Sequence, residues 1–327
     1  MPNRFVLAGL AVLALAAPVH AETVWDMHIN FPAGNFDTQN AVRFADAVKD
    51  ATGGEVVINV KAGGSLGLKG PEVLGAVRDG IVPIAHFHLD TAVGEEPFMG
   101  IQGLPYLTQG FDDAEKLHAL AAPVYERIAA DNNQKILYTV FWPGAHLYTK
   151  APVAAVDDLE GLKIRTANKS SSDFFEALGA APVLMPWADA LVALAAGGLD
   201  GIATSATSGV DGKFWEFQST VTPISYLNPA AVVTVNLDAF NALSPEHQAA
   251  VERVAKEFEP QFRAVAADED EKRLAELAAN GMTVAEPDPA FEAALADAAR
   301  AQWDAFAANA GPDAERVLRE YREQVGR

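Results

Sequence analysis

The chain has 327 residues, enough for about two domains, and its 50% hydrophobic and 21% charged residues indicate a folded globular protein. The formal net charge of −20 argues against a nucleic-acid partner, because phosphate binding needs a basic surface. Cysteine is absent, which excludes disulfides, thiol catalysis and cysteine-ligated metals.

The first 21 residues have the pattern of a cleavable signal peptide. Arg4 supplies the positive charge, Phe5–Ala17 is the apolar run, and Val19–Ala21 offers small residues for cleavage before Glu22. The run is shorter than the roughly 20 apolar residues of a membrane-spanning helix. We therefore expect a soluble mature protein in the bacterial periplasm.

Strand and helix patterns alternate in the first part of the mature chain, which implies a parallel sheet with helices on its faces. The predicted strands are 24–30, 55–60 and 81–86, with helices at about 41–52 and 71–80 between them. A helix is predicted at 112–131, and a strand-like stretch at 135–148 is interrupted by Pro143 and Gly144.

A second alternating run follows, and two such units indicate an α/β fold of two lobes with a cleft between them. Its predicted strands are 162–165, 182–185 and 199–204, its helices 170–178 and 188–196, and a return strand is expected at about 230–237. We expect lobe I to contain 22–148 and about 237–276, and lobe II to contain 149–236 and about 277–327.

The last third of the chain is predicted to be helical. Ser244 is a good N-cap and Pro245 a good first residue for a helix that continues to about 280. Such a helix is about 55 Å long, enough to run across both lobes. Two further helices are predicted at 289–309 and 312–324.

No enzyme motif stands out, so we predict neither a catalytic residue nor a cofactor. Gly63–Lys69 lacks the glycine and hydroxyl residue of a phosphate loop, and no nucleophile elbow is present. His86 and His88 share a strand face, which makes a metal site conceivable, but a packed or pocket-lining pair is favoured. A secreted enzyme is kept as the least favoured alternative.

The stretch from Asp157 to Thr204 carries a resemblance to a known family. It contains DLEGLKIR, which ends in Arg165, and GAAPVLMPWADALVALAAGGLDG over 179–201; GGSLGLKGPEVLGAVRDG and GLPYL occur earlier. In combination these resemble the DctP-type solute-binding receptors of TRAP transporters, the tripartite ATP-independent periplasmic family. The resemblance covers almost all of the mature chain and implies a two-lobed periplasmic binding protein fold, with a ligand cleft and a long helix across both lobes.

The resemblance also implies that Arg165 pairs with the carboxylate of a small organic acid. The residue pattern is compatible, since Arg165 ends a predicted strand, where α/β clefts lie, and a guanidinium binds a carboxylate through two parallel hydrogen bonds. Without the resemblance, Arg165 would be interpreted as a surface salt-bridge residue.

Three positions depart from the family pattern. His146 stands where an arginine is frequent, Thr204 where an asparagine is frequent, and Asp189 replaces the usual glutamate. The loss of one cation and one amide shifts the expected ligand from a dicarboxylate towards a monocarboxylate.

Aromatic residues crowd the expected cleft edges, and we expect about one third of them to line the pocket, since large aromatics usually pack in cores. Lys69 and Asn168 are either ligand contacts or, respectively, a solvated loop residue and a helix cap. The expected ligand-binding residues are Arg165, Trp187, His146, Thr204, Asn168, Phe31, Phe36, Lys69, Phe87, Trp142 and Trp215.

Taken together, these features predict a monomeric periplasmic receptor that is not an enzyme and that delivers a carboxylate to the membrane subunits of a TRAP transporter. A receptor that feeds a membrane sensor would share the same fold and pocket, so that alternative stays open. The pattern does not distinguish an aromatic, keto or sugar acid as the ligand.

Overall fold

The computed structural model describes residues 22–326. This part of the chain forms two sheets and the helices that cover them. The expected signal peptide, 1–21, lies outside the described residues. The strands are β1 (Thr23–His28), β2 (Val56–Lys61), β3 (Ile84–His88), β4 (Gln134–Phe141), β5 (Ala145–Thr149), β6 (Ile164–Thr166), β7 (Val183–Leu184), β8 (Gly201–Ser205), β9 (Thr220–Thr222), β10 (Ala230–Asn236) and β11 (Thr283–Val284). The helices are α1 (Phe36–Ala51), α2 (Gly70–Arg78), α3 (Phe111–Asp131), α4 (Lys169–Ala177), α5 (Trp187–Ala195), α6 (Ala206–Asp211), α7 (Leu237–Asn241), α8 (Pro245–Ala279), α9 (Pro289–Ala310) and α10 (Pro312–Val325).

The first sheet has the strand order β2-β1-β3-β10-β4. β1 pairs in parallel with β2 and β3, whereas β10 is antiparallel to β3 and β4. The sheet is buried on both faces, with α1 and α8 packed on one and α2, α3 and α10 on the other. This double cover agrees with the apolar runs in β4 and β10, most of whose residues are buried.

The second sheet has the order β11-β9-β5-β8-β6-β7. β6 is parallel to β7 and β8, and β5 is antiparallel to β8 and β9. Its faces are covered by α4 and α9 on one side and by α5 and α6 on the other. The predicted α/β fold with two lobes is therefore confirmed.

The sheets divide the chain differently from the expected lobe boundaries at three places. β5 belongs to the second sheet, β10 belongs to the first, and the terminal helix α10 packs on α3 of the first lobe. The chain crosses between lobes directly after β4, at Gly144, where an added Cβ would clash with the side chain of Ser225. The break at Pro143 and Gly144 is visible in the sequence, but strand patterns do not show which sheet each strand joins.

The long helix α8 contains 35 residues and is about 50 Å long. The Ser244 hydroxyl caps it by accepting a hydrogen bond from the His247 amide at 3.2 Å. α8 packs on α1 and β4 of the first lobe and on α6 and β11 of the second, as expected for a helix that runs across both lobes. Within residues 22–326, no helix combines the length and the apolar character needed to cross a membrane.

Candidate functional site

The two lobes meet where β3 and β4 of the first sheet and β6 and β8 of the second sheet end. Arg165 lies at this junction, on β6, and is only 3% exposed. Its Nε donates a hydrogen bond to the backbone oxygen of Met185 at 3.0 Å, which fixes the orientation of the guanidinium. No acceptor among the described residues bonds its terminal nitrogens, so both stay available for a ligand anion.

Arg165 keeps its charge despite this burial. Desolvation lowers the pKa of Arg165 to about 10, while the nearby Tyr226 and Asp90 act in the opposite direction. A pKa of about 10 leaves the guanidinium protonated at neutral pH. The site therefore presents a dry, oriented positive charge, which is the chemistry needed to bind a carboxylate through two hydrogen bonds.

An aromatic wall stands on the first-lobe side of the junction. Phe31 stacks on Trp142, with ring centroids 4.5 Å apart, and Phe36 packs on the same indole at 4.9 Å. The indole nitrogen of Trp142 donates a hydrogen bond to the Ser205 hydroxyl at 2.9 Å, across to the second lobe. The wall thus depends on both lobes for its geometry.

The alternation of β3 sorts its side chains between the cleft and the core. His86 and His88 face Phe31 and Trp142, whereas Phe87 points to the opposite face and packs among α2 and α3. Phe87, predicted to line the pocket, is therefore a core residue. His86 Nε2 lies 2.7 Å from the carboxylate of Asp37, and no cluster of residues within 22–326 is arranged to hold a metal ion.

Asp90 and Asn168 join the lobes beside Arg165. The Asn168 amide donates a hydrogen bond to the Asp90 carboxylate, and its side-chain oxygen accepts one from the Ser171 amide at 2.7 Å. Asn168 is therefore the N-cap of α4, and its amide is directed to Asp90. The sequence pattern did not single out Asp90, although a carboxylate two residues after a buried strand was an available signal.

The mouth of the cleft is closed by two polar contacts. Lys69 Nζ lies 2.8 Å from the Asp189 carboxylate, and both side chains are about half exposed. The Asn35 amide donates a hydrogen bond to the Asp211 carboxylate at 2.6 Å. Each contact joins the first lobe to the second, so the structure is a closed form. In this form Lys69 forms an ion pair with Asp189 of the other lobe.

The remaining predicted residues have partners within the second lobe or on α8. His146 is hydrogen-bonded at both ring nitrogens, to Asp270 of α8 at 2.9 Å and to the Ser225 amide at 3.2 Å, which leaves no nitrogen for a ligand. Thr204 lies opposite His146 in the β5–β8 pairing and is half-buried. Trp187 packs on Phe214 at 6.0 Å, and Trp215 is a half-buried part of the same cluster; the residues packed there include Tyr148, Ala190 and Leu194.

Burial raises the pKa of Asp90 to about 6, an effect that its hydrogen bond from Asn168 and the charge of Arg165 only partly offset. The titratable groups that interact electrostatically with Asp90 are Arg165, Tyr125 and Tyr226. Because the folded protein holds this proton more tightly than an aspartate with the ordinary pKa of 3.8, protonation favours folding. This stabilisation is complete below pH 3.8 and is lost as the pH rises through about 6.

Asp90→Asn should therefore be more stable than the wild type at pH 7, by about 1 to 3 kcal/mol, because it mimics the protonated side chain. The gain should shrink as the pH falls from 6 to 3.8. Urea unfolding at several pH values measures it, with the exposed Asp50→Asn as the matched control. A gain that does not depend on pH would contradict the assignment.

Two α/β lobes closed on Arg165, the one buried Lys or Arg among residues 22–326, are typical of a solute-binding protein. The model of the bacterial extracellular solute-binding protein family 7, DctP, matches residues 28–309, and the chain belongs to that family. This confirms the resemblance to TRAP solute receptors that the sequence motifs indicated.

Several proteins of known structure or function are similar. The Bordetella pertussis receptor DctP7, which binds pyroglutamic acid, is 31% identical, with a TM-score of 0.88 over 92% of this chain and 99% of that one. A pyroglutamate-specific TRAP solute-binding protein from a marine metagenome is 32% identical, with a TM-score of 0.88 over 93% and 99% of the two chains. The Escherichia coli 2,3-diketo-L-gulonate-binding periplasmic protein YiaO is 26% identical over 87% of this chain and 88% of its own length.

Proposed function

We propose that this chain is a periplasmic receptor that captures a compact monocarboxylate, with pyroglutamate as the first candidate, for the membrane subunits of a TRAP transporter. The single observation that carries the proposal is Arg165, a buried and oriented guanidinium whose terminal nitrogens have no acceptor among the described residues. The two pyroglutamate receptors at 31% and 32% identity support the choice of candidate.

The shape of the site favours a small, flat molecule. Phe31 and Trp142 present stacked rings on one side, and Arg165 is 3% exposed in the closed form. Closure around such a ligand removes water from the ion pair and so strengthens it. A micromolar affinity requires about −8 kcal/mol, which a bidentate ion pair and aromatic burial can supply after the costs of ordering and closure.

Delivery to the transporter follows ligand binding. The signal peptide exports the chain to the periplasm. There the closed, liganded monomer docks on the membrane subunits and releases the acid chemically unchanged. A sensory receptor would bind the same ligand, and a transport assay in a deletion strain separates the two roles. Ligand recovered intact after prolonged incubation with the protein argues against an enzyme.

A thermal-shift screen tests the ligand class directly. We expect pyroglutamate to raise the melting temperature at millimolar concentration, because a ligand that binds only the folded form stabilises it. The panel should include other monocarboxylates, dicarboxylates and sugar acids, with calorimetry on every hit. If none of these acids shifts the melting temperature, the proposed function is wrong.

A further inference from the structure

His88 differs in burial from its neighbours Phe31, Trp142 and Asp90. Its imidazole is only partly buried, whereas Phe31, Trp142 and Asp90 are at most 8% exposed. No described residue donates a hydrogen bond to its ring nitrogens or accepts one from them, in contrast to His146, which is bonded at both. The imidazole therefore has hydrogen-bonding capacity that the protein itself does not use.

The geometry directs this capacity into the cleft. His88 is the last residue of β3, and its ring meets Trp142 edge-on at 4.9 Å and Phe31 at 5.9 Å. The charge of Arg165 contributes to the lowered pKa of His88, which is consistent with the two groups lying near each other. The imidazole thus lies against the aromatic wall at the end of β3, on the side of the sheet opposite Phe87.

His88 is also electrically neutral there. Desolvation, together with the neighbouring His86 and the charge of Arg165, lowers the pKa of His88 to about 3. A neutral imidazole offers one N–H donor and one nitrogen acceptor. It cannot serve as a second cation at any pH near neutrality.

We propose that His88 determines ligand specificity: it selects monocarboxylates that carry an uncharged group with both a donor and an acceptor, such as a lactam, an amide or a hydroxyl, and it disfavours a second carboxylate. The proposal deepens the proposed function and rests on it, because the ligand carboxylate must first bind Arg165. Nothing in the pairing at Arg165 alone would distinguish a monocarboxylate from a dicarboxylate.

Two physical costs produce the selection. A second carboxylate would be buried without a cation, since Lys69 is paired with Asp189, and it would lie near the carboxylate of Asp90. An apolar monocarboxylate would leave the ring nitrogens of His88 without partners in a closed, dry site. Burying polar atoms without hydrogen bonds costs free energy, so such a ligand binds more weakly.

Calorimetry with three probes of similar size tests this: pyroglutamate, cyclopentanecarboxylate and succinate. The wild type should bind pyroglutamate at least about tenfold more tightly than either of the others. His88→Phe, which keeps the ring and removes both nitrogens, should reduce the preference over cyclopentanecarboxylate to about threefold or less, mainly by weakening pyroglutamate binding. His88→Gln retains one donor and one acceptor and should keep more of the preference than His88→Phe.

The matched control is His247→Phe, a histidine at the start of α8 whose partner is Glu55, outside the cleft. It should leave all three affinities unchanged. If the wild type binds pyroglutamate and His88→Phe discriminates as well as the wild type, or if succinate binds the wild type as tightly as pyroglutamate, the specificity role is wrong while the receptor role stands. A wild type that binds no acid in the wider panel overturns both.

Discussion

Replacing Arg165 by glutamine should lower the affinity for the carboxylate ligand by about 100-fold or more, because the ligand charge is then buried without a partner. Arg165→Lys keeps the charge but loses both the forked geometry and the Nε bond to the Met185 oxygen, so we expect a loss of at least about tenfold. Isothermal calorimetry on both variants measures the two effects.

The ligand-free stability of Arg165→Gln separates a binding role from a structural one. Burial lowers the pKa of Arg165, which means that its charge costs stability in the ligand-free fold. The variant should therefore melt no earlier than the wild type while losing its ligand. The matched control is Arg127→Gln, which removes an exposed arginine paired with Asp313 and should leave affinity unchanged. Unchanged affinity in Arg165→Gln would refute the anchor.

Trp142→Ala should have the second-largest effect, because the indole is buried, packs on two phenylalanines and hydrogen-bonds across the cleft. Removing a buried aromatic of this size costs about 3–5 kcal/mol of stability. The ligand would also lose its aromatic wall, so we expect binding to fall below the range that calorimetry detects. Chemical unfolding and calorimetry measure the two losses separately.

Trp142→Phe isolates the contribution of the bond to Ser205. It keeps an aromatic ring and removes the N–H, so affinity should fall by about three- to tenfold through faster dissociation. Trp303→Phe is a close control, because the Trp303 indole is equally buried and donates its N–H to the Pro105 oxygen at 2.9 Å, outside the cleft. It should lower stability without changing affinity. If the two variants affect binding alike, the Trp142–Ser205 bond does not contribute to closure on the ligand.

The element types were predictable because their signals are local. Ser244 and Pro245 mark the start of α8, and the apolar spacing that follows marks its length, so the long helix was expected and found. Pro143 and Gly144 correctly predicted the break between β4 and β5. The sheet that each of these strands joins was not predictable, because strand periodicity contains no information about the pairing partner.

The candidate site was predicted only in part. Phe31, Phe36 and Trp142 do pack together, whereas Phe87 was misassigned because a one-residue step along β3 changes the face of the sheet. Phe87 and His88 are neighbours in sequence, yet one packs in the core and the other faces the cleft. Which face is buried depends on how α2 and α3 pack, and no local pattern of β3 specifies that.

The sequence by itself therefore determined most strands and helices, the two-lobed architecture and the family, and through the family it indicated the role of Arg165. Only the tertiary structure decided which groups are free to meet a ligand. Asp270 lies 124 positions from His146 and occupies one of its nitrogens, and Asp189 lies 120 positions from Lys69 and pairs with it. Local patterns report on neighbours along the chain, but the availability of a polar atom depends on partners brought close by folding, and this is why His88 becomes distinctive only in the structure.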